Sequence, residues 1–190
     1  MQILQAISTR RSIRNFKNQH VARELIEQVL IAGVLAPSGK NRQPWHFTVL
    51  LGEKKTTLVD ILESTVSHLK EQGLQTGSAE WTAKAMRQAP VCIVVHNPYA
   101  SAEDDDNGAN RYWSLVDTQS IGAAIQNMLL QAEALNLGTL WICDVFYAEQ
   151  QINNFLGRND EMIAAIALGY ADAAPAARPR RALSEVTTWL

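Results

Sequence analysis

Cysteine is nearly absent, at two of 190 residues. Cys92 and Cys143 form no C-x-x-C pair and share no ligand spacing with His20, His46, His68 or His96, so neither a disulfide framework nor a structural metal centre is expected. Both lie in apolar runs and are expected to be buried, reduced thiols of a cytoplasmic protein. No apolar run reaches the roughly 18 residues of a membrane span, and the start Met1-Gln2-Ile3-Leu4 lacks a secretory pattern. Charge of one sign is also missing. A net −2 gives no global basic field, which leaves a nucleic-acid binder as the least favoured function. No G-x-G-x-x-G follows an expected strand, and no G-x-S-x-G occurs. Gly33 to Gly39-Lys40-Asn41 has five intervening residues where a phosphate loop has four, and it follows a helix.

What is present is an ordinary globular composition, 47% hydrophobic and 19% charged, in a length that suits a single domain over 1–190. The pattern predicts helices at Ile3 to Ile7, Ala22 to Ala36, Lys54 to Gln72, Trp81 to Gln88, Arg111 to Asn136 and Ala148 to Leu156. Strands are expected at Trp45 to Leu51, Val91 to Val95, Thr139 to Cys143 and Ile163 to Leu168. Val91-Cys92-Ile93-Val94-Val95 reads as a strand covered on both faces. The helix closed by Gly138 is apolar over so much of its circumference that it should be central, at a subunit interface, or both. Helices alternating with buried strands indicate an α/β or α+β three-layer domain. Glu103 to Gly108 reads as a solvent-facing acidic loop.

Three stretches carry chemistry. Arg10-Arg11-Ser12-Ile13-Arg14 offers guanidinium forks and hydroxyls for an anion, and Arg10, Ser12 and Arg14 would share one side of an extended segment. Pro37-Ser38-Gly39-Lys40-Asn41-Arg42-Gln43 combines backbone freedom with amide and hydroxyl groups suited to a flat, heteroatom-rich ligand. The tail from 171 to 190 carries Arg178, Arg180 and Arg181 and ends near Trp189, so it should wrap along its own body or a neighbour's. Together these suit a bound cofactor that does the chemistry itself.

The chain resembles the FMN-dependent nitroreductases. The resemblance is carried by Arg10 to Phe16, by Ala36-Pro37-Ser38-Gly39-Lys40-Asn41-Arg42-Gln43-Pro44-Trp45, by Ser120 to Ala124 through Leu137-Gly138-Thr139-Leu140-Trp141-Ile142, and by Ala167 to Tyr170 leading to Arg178-Pro179-Arg180. It implies a nitroreductase-like three-layer α/β (α+β) sandwich with a central mixed sheet flanked by helices, a long buried central helix, and a C-terminal extension onto a partner subunit. It also implies a homodimer with FMN at the interface, NADH or NADPH as donor, a small organic acceptor such as a nitroaromatic, quinone or enone, and ping-pong turnover. Arg10, Arg11, Ser12 and Arg14 would bind the phosphate end, joined by Arg178 and Arg180. Pro37, Ser38, Gly39, Asn41 and Gln43 of the partner would line the ring. Trp141, Ile142, Cys143 and Asp144 would pass its N5 atom, with further contacts from Thr82 to Arg87. Arg42, Arg111, Tyr112 and Trp113 are candidates for shaping an acceptor pocket. A non-catalytic flavin-binding or redox-sensing protein and a flavin-fragmenting or dehalogenating relative are the alternatives.

Overall fold

The computed structural model describes residues 2–100 and 109–190, so the acidic loop from Glu103 to Gly108 lies outside the described residues. In chain order the elements are α1 (Ile3–Thr9), α2 (Arg23–Val34), β1 (His46–Leu51), α3 (Gly52–Glu71), α4 (Ala79–Gln88), β2 (Val91–Asn97), α5 (Ala109–Ala134), β3 (Gly138–Ile142), α6 (Glu149–Leu156) and β4 (Glu161–Gly169).

The apolar run in β2 is buried at every position, because the strand lies inside a sheet of order β1-β2-β4-β3 with helices on both faces. Alternation divides the sheet cleanly. Val91, Ile93 and Val95 of β2, with Ala164, Ile166 and Leu168 of β4, meet Ile26 and Val29 of α2 and Ile121, Ile125 and Met128 of α5. Cys92 and Val94, with Ala165 and Ala167, face the opposite way onto Leu58 and Leu62 of α3, Met86 of α4 and Ile152 of α6. These two apolar clusters are the inner surfaces of a three-layer sandwich. Ladders between the named strands are antiparallel. The four-stranded sheet is therefore antiparallel and not mixed as expected; an isolated parallel bridge joins Ser12 to Thr139 outside its strands, on the outer edge of β3.

The end of α5 differs from the sequence expectation. Asn136, not Gly138, closes the helix, with φ at 59°. The Leu137 N–H donates to Ala132 at 2.8 Å and the Asn136 N–H to Glu133 at 3.0 Å, the paired bonds of a Schellman stop. Gly138 instead opens β3, where a Cβ would lie 2.8 Å from Ile13 Cγ1. Its lack of a side chain lets the 12–14 segment lie against the sheet edge.

Cys143 is a second correction. It lies beyond the last residue of β3 and is exposed, whereas Cys92 is buried in the sheet as expected. Partial desolvation on its inner side, with the Asp144 charge adding to it, still pushes the exposed Cys143 thiol above its usual range. Full burial drives Cys92 up to about 12. Among the described residues no helix is long and apolar enough to cross a membrane.

Candidate functional site

Residues 10–14 form an extended strap along the free edge of β3. The Ile13 N–H donates to the Thr139 carbonyl at 2.8 Å, and further on the Lys17 N–H reaches the Tyr170 carbonyl at 2.9 Å. Ile13 is buried while Ser12 and Arg14 are exposed, so the expected alternation is realised. Arg10 is half-buried beside them. Arg11 turns the other way. Its Nη1 donates to the carbonyls of Ser8 and Arg10, both at 2.8 Å, and so satisfies the C-terminal end of α1.

The arginines divide into two groups by their partners. Arg23, Arg42, Arg87, Arg158 and Arg181 each pair with a carboxylate. Among the described residues, no carboxylate lies within ion-pairing distance of Arg10, Arg11, Arg14, Arg178 or Arg180. The five arginines expected at a phosphate are thus among those left unneutralised. Arg178 and Arg180 lie on the exposed tail after Ala171, where Arg180 Nη1 donates only to the carbonyls of Arg178 and Pro179. No hydrogen bond among the described residues joins them to the strap.

The loop after α2 is unusual in its backbone. Lys40, Asn41 and Gln43 all take positive φ, at 50°, 54° and 50°. Such conformations cost on the order of 1–3 kcal/mol each in a non-glycine residue and persist only where surroundings enforce them. Here the surroundings are α5. Gly39 lies so close that a Cβ would meet Val116 Cγ1 at 2.3 Å. Its N–H donates to Ser120 Oγ at 3.3 Å. Within the loop the Gln43 N–H donates to Ser38 Oγ at 3.0 Å. Pro37, Asn41 and Gln43 consequently face solvent, while Ser38 and Gly39 are half-buried.

Arg42 is not an open pocket residue. Its Nε and Nη2 donate to Asp117 Oδ1 and Oδ2 at 3.0 and 2.9 Å. The guanidinium lies 5.0 Å from the Tyr99 ring centre and 4.8 Å from that of Trp113. Arg111 and Tyr112 do stand on an exposed face of α5, lining with Leu115 and Thr118 an open hollow of about 440 Å³.

At the end of β3 the backbone groups of Trp141 should point outward, since Thr139 uses its outward carbonyl for Ile13 and facing alternates along a strand. Ile142 is buried and turned to the core. The Trp141 ring is 38% exposed and passes 3.9 Å from where a Cβ on Gly122 would lie, so it stands between the strap edge and α5. Asp144 is committed elsewhere: its Oδ2 accepts from Ser78 Oγ at 2.8 Å and Thr82 Oγ1 at 2.5 Å. That carboxylate ties the start of α4 to the turn after β3. Arg87 is likewise occupied by Asp60 and Glu63. Two members of the 82–87 stretch therefore have structural employment.

Sequence reasoning missed Asp117, Ser120 and Ser78. Asp117 lies 75 positions from Arg42, and nothing local to either residue marks the pairing.

The nitroreductase family model matches residues 7–170. A Methanothermobacter thermautotrophicus protein, provisionally named an NADH dehydrogenase/NAD(P)H nitroreductase, is 30% identical over 74% of this chain and 60% of its own length. Iodotyrosine deiodinase of Hydra vulgaris is 26% identical over 87% of this chain and 63% of its own. The chain thus matches under two thirds of the length of each of these curated relatives. Among solved structures, a Desulfovibrio desulfuricans protein, provisionally named a nitroreductase and crystallised with FMN, superposes with a TM-score of 0.78 at 30% identity, covering 100% of this chain and 97% of that one.

Proposed function

The chain belongs to the nitroreductase family, and from that premise we propose that it is an FMN-dependent oxidoreductase passing reducing equivalents from NADH or NADPH to a small organic acceptor of nitroaromatic, quinone or enone type. The observation that carries the reading is the set of arginines at the strap and tail that have no carboxylate partner among the described residues, with the strap laid on the edge of β3 and a loop held in a costly conformation nearby in the chain. Arg10 and Arg14 would bind the FMN phosphate through their guanidinium forks, with the Ser12 hydroxyl supplying a further donor. Arg178 and Arg180 would join them when the tail closes. Arg11 contributes charge, while its fork stays on the end of α1.

The proposed unit is a homodimer. Ile3, Leu4 and Ile7 of α1 are 78%, 75% and 51% exposed, although they form that helix's apolar side. Ile31, Val34 and Leu35 at the end of α2, and Leu183, Val186 and Trp189 of the tail, are exposed as well. Apolar area on this scale calls for cover, and a second copy with its tail extended would supply it. In that assembly Pro37, Ser38, Gly39, Asn41 and Gln43 of one chain line the ring held by the other. The outward backbone of Trp141 would lie beside the flavin's N5 region with Cys143 next in the chain, while the Asp144 carboxylate is committed to Ser78 and Thr82 and fixes the turn.

FMN held by these residues would supply the redox chemistry, with donor and acceptor using the site in turn in a ping-pong cycle. The residues here bind, orient and exclude water; cationic and N–H donors favour the electron-rich state of the ring. A cytoplasmic setting agrees with two unpaired thiols, one of them exposed.

Purified protein given FMN under anaerobic conditions should turn yellow and be bleached by NADH or NADPH. A preparation that takes up no flavin sinks the proposal. The similarity to the Hydra vulgaris deiodinase favours a reductive dehalogenase as a second reading. Steady-state rates against halogenated phenols alongside nitroaromatics and quinones separate the two, because only a dehalogenase releases halide with each turnover.

A further inference from the structure

We infer that the Arg42–Asp117 pair is the clasp that sets the cofactor loop, making Arg42 a positioning residue for the flavin; this rests on the flavin reading above. Asp117 is 1% exposed, so its charge needs a partner brought to it. Among the described residues, Arg42 is the loop side chain that reaches it; its own backbone is right-handed (φ −68°), set between the left-handed Asn41 before it and Gln43 after it. A bidentate fork fixes the plane of the guanidinium as well as its place. Tyr99 and Trp113 then hold that plane by their ring faces.

The consequence reaches the neighbouring groups. With Arg42 pinned to α5, Asn41 and Gln43 have nowhere to turn but outward, which is where ring-lining amides are required. The Gly39 N–H on Ser120 anchors the other end of the same loop one helical turn further along α5. Lysine cannot substitute, since its single ammonium lacks the fork and the flat face.

The test compares wild type with Arg42→Lys, Asp117→Asn and the double variant Arg42→Lys/Asp117→Asn. FMN dissociation constants, visible circular dichroism of the bound flavin and amide exchange of residues 38–43 are measured. Each single variant should weaken FMN about tenfold, and the double no more than either, because the pair acts as a unit. Exchange in the loop should rise and the flavin dichroism should change. A purely structural role would lower melting temperature and leave the dichroism of bound flavin as it was. Should Arg42→Lys fail to melt cooperatively, Asp117→Asn, which keeps the side-chain volume, carries the measurement. Variants that bind FMN within twofold of wild type overturn the clasp. A wild type that binds none overturns the flavin reading beneath it.

Discussion

Arg11 and Arg14 stand three positions apart and do different work, because Ile13 between them is buried and fixes the pleat of the strap. Arg14, without a carboxylate partner among the described residues, should lose its fork on the phosphate when replaced by alanine. A charge-assisted contact of about 1.5–3 kcal/mol corresponds to an FMN affinity roughly 10- to 100-fold weaker, readable by fluorescence titration. Arg11→Ala should change affinity less and fray α1 instead. Asp144 is a structural carboxylate by its partners. Asp144→Ala should cost about 1–3 kcal/mol in denaturant unfolding, since it strands the nearly buried Thr82 hydroxyl. His96 gives a pH signature. It is 0% exposed, and its Nε2 lies 2.9 Å from Asn153 Oδ1, whose amide orientation is fixed by its own bond to the Asp160 carbonyl. The proton therefore sits on Nε2, and burial, partly opposed by the Asn153 bond, lowers the imidazole pKa below the ordinary 6.5. Arg158, Asp160 and His46 are the charged or titratable groups around it. Below about pH 6.5 the unfolded chain binds the proton that the native state resists, so stability should fall as pH drops from there. A His96→Gln variant should lose that part of the pH dependence in thermal melts; a slope identical to wild type would remove His96 as its source.

At the scale of elements, the strap depends on β3 as much as on its own residues. Gly138→Ala would push a methyl into Ile13, cost about 1–3 kcal/mol, and loosen FMN binding together with stability. Thermal melts and flavin titration of one preparation would check both effects. The legibility of these elements in the sequence follows from how local their causes are. Apolar runs and helical periodicity locate the four named strands and six α-helices within a few residues, because burial on one or two faces writes itself directly into the pattern; the short 3-10 turns at 39–41, 144–148 and 183–185 leave no such trace. The end of α5 differs from the pattern's prediction because Gly138 is the stronger stop signal, whereas Asn136 takes the left-handed position at modest cost. Cys143 is exposed despite its apolar neighbours because the apolar run continues past the point where β3 ends. The alternation of Ser12 and Arg14 was legible. The partners of Arg42 and Asp144, at separations of 75 and 62 residues, were not, since they arise only when the layers stack.

On the scale of the whole molecule, the features left over by one chain fit together. The apolar side of α1, the end of α2, the hydrophobic residues of the tail and the solvent-facing loop amides all lack cover within the described protomer. The proposed homodimer with a shared site would cover them together, whereas a monomer leaves each to be explained alone. Truncation after Asp172 should then weaken both flavin retention and dimerisation, because Arg178, Arg180 and Trp189 leave together. Sedimentation of the full chain, followed at the visible absorbance of the flavin after addition of FMN, tests this most directly. The flavin should travel with a two-chain species, one flavin for each chain, and its colour should be bleached by NADH or NADPH. Flavin held tightly by a single chain, or a two-chain species that carries none, would contradict it.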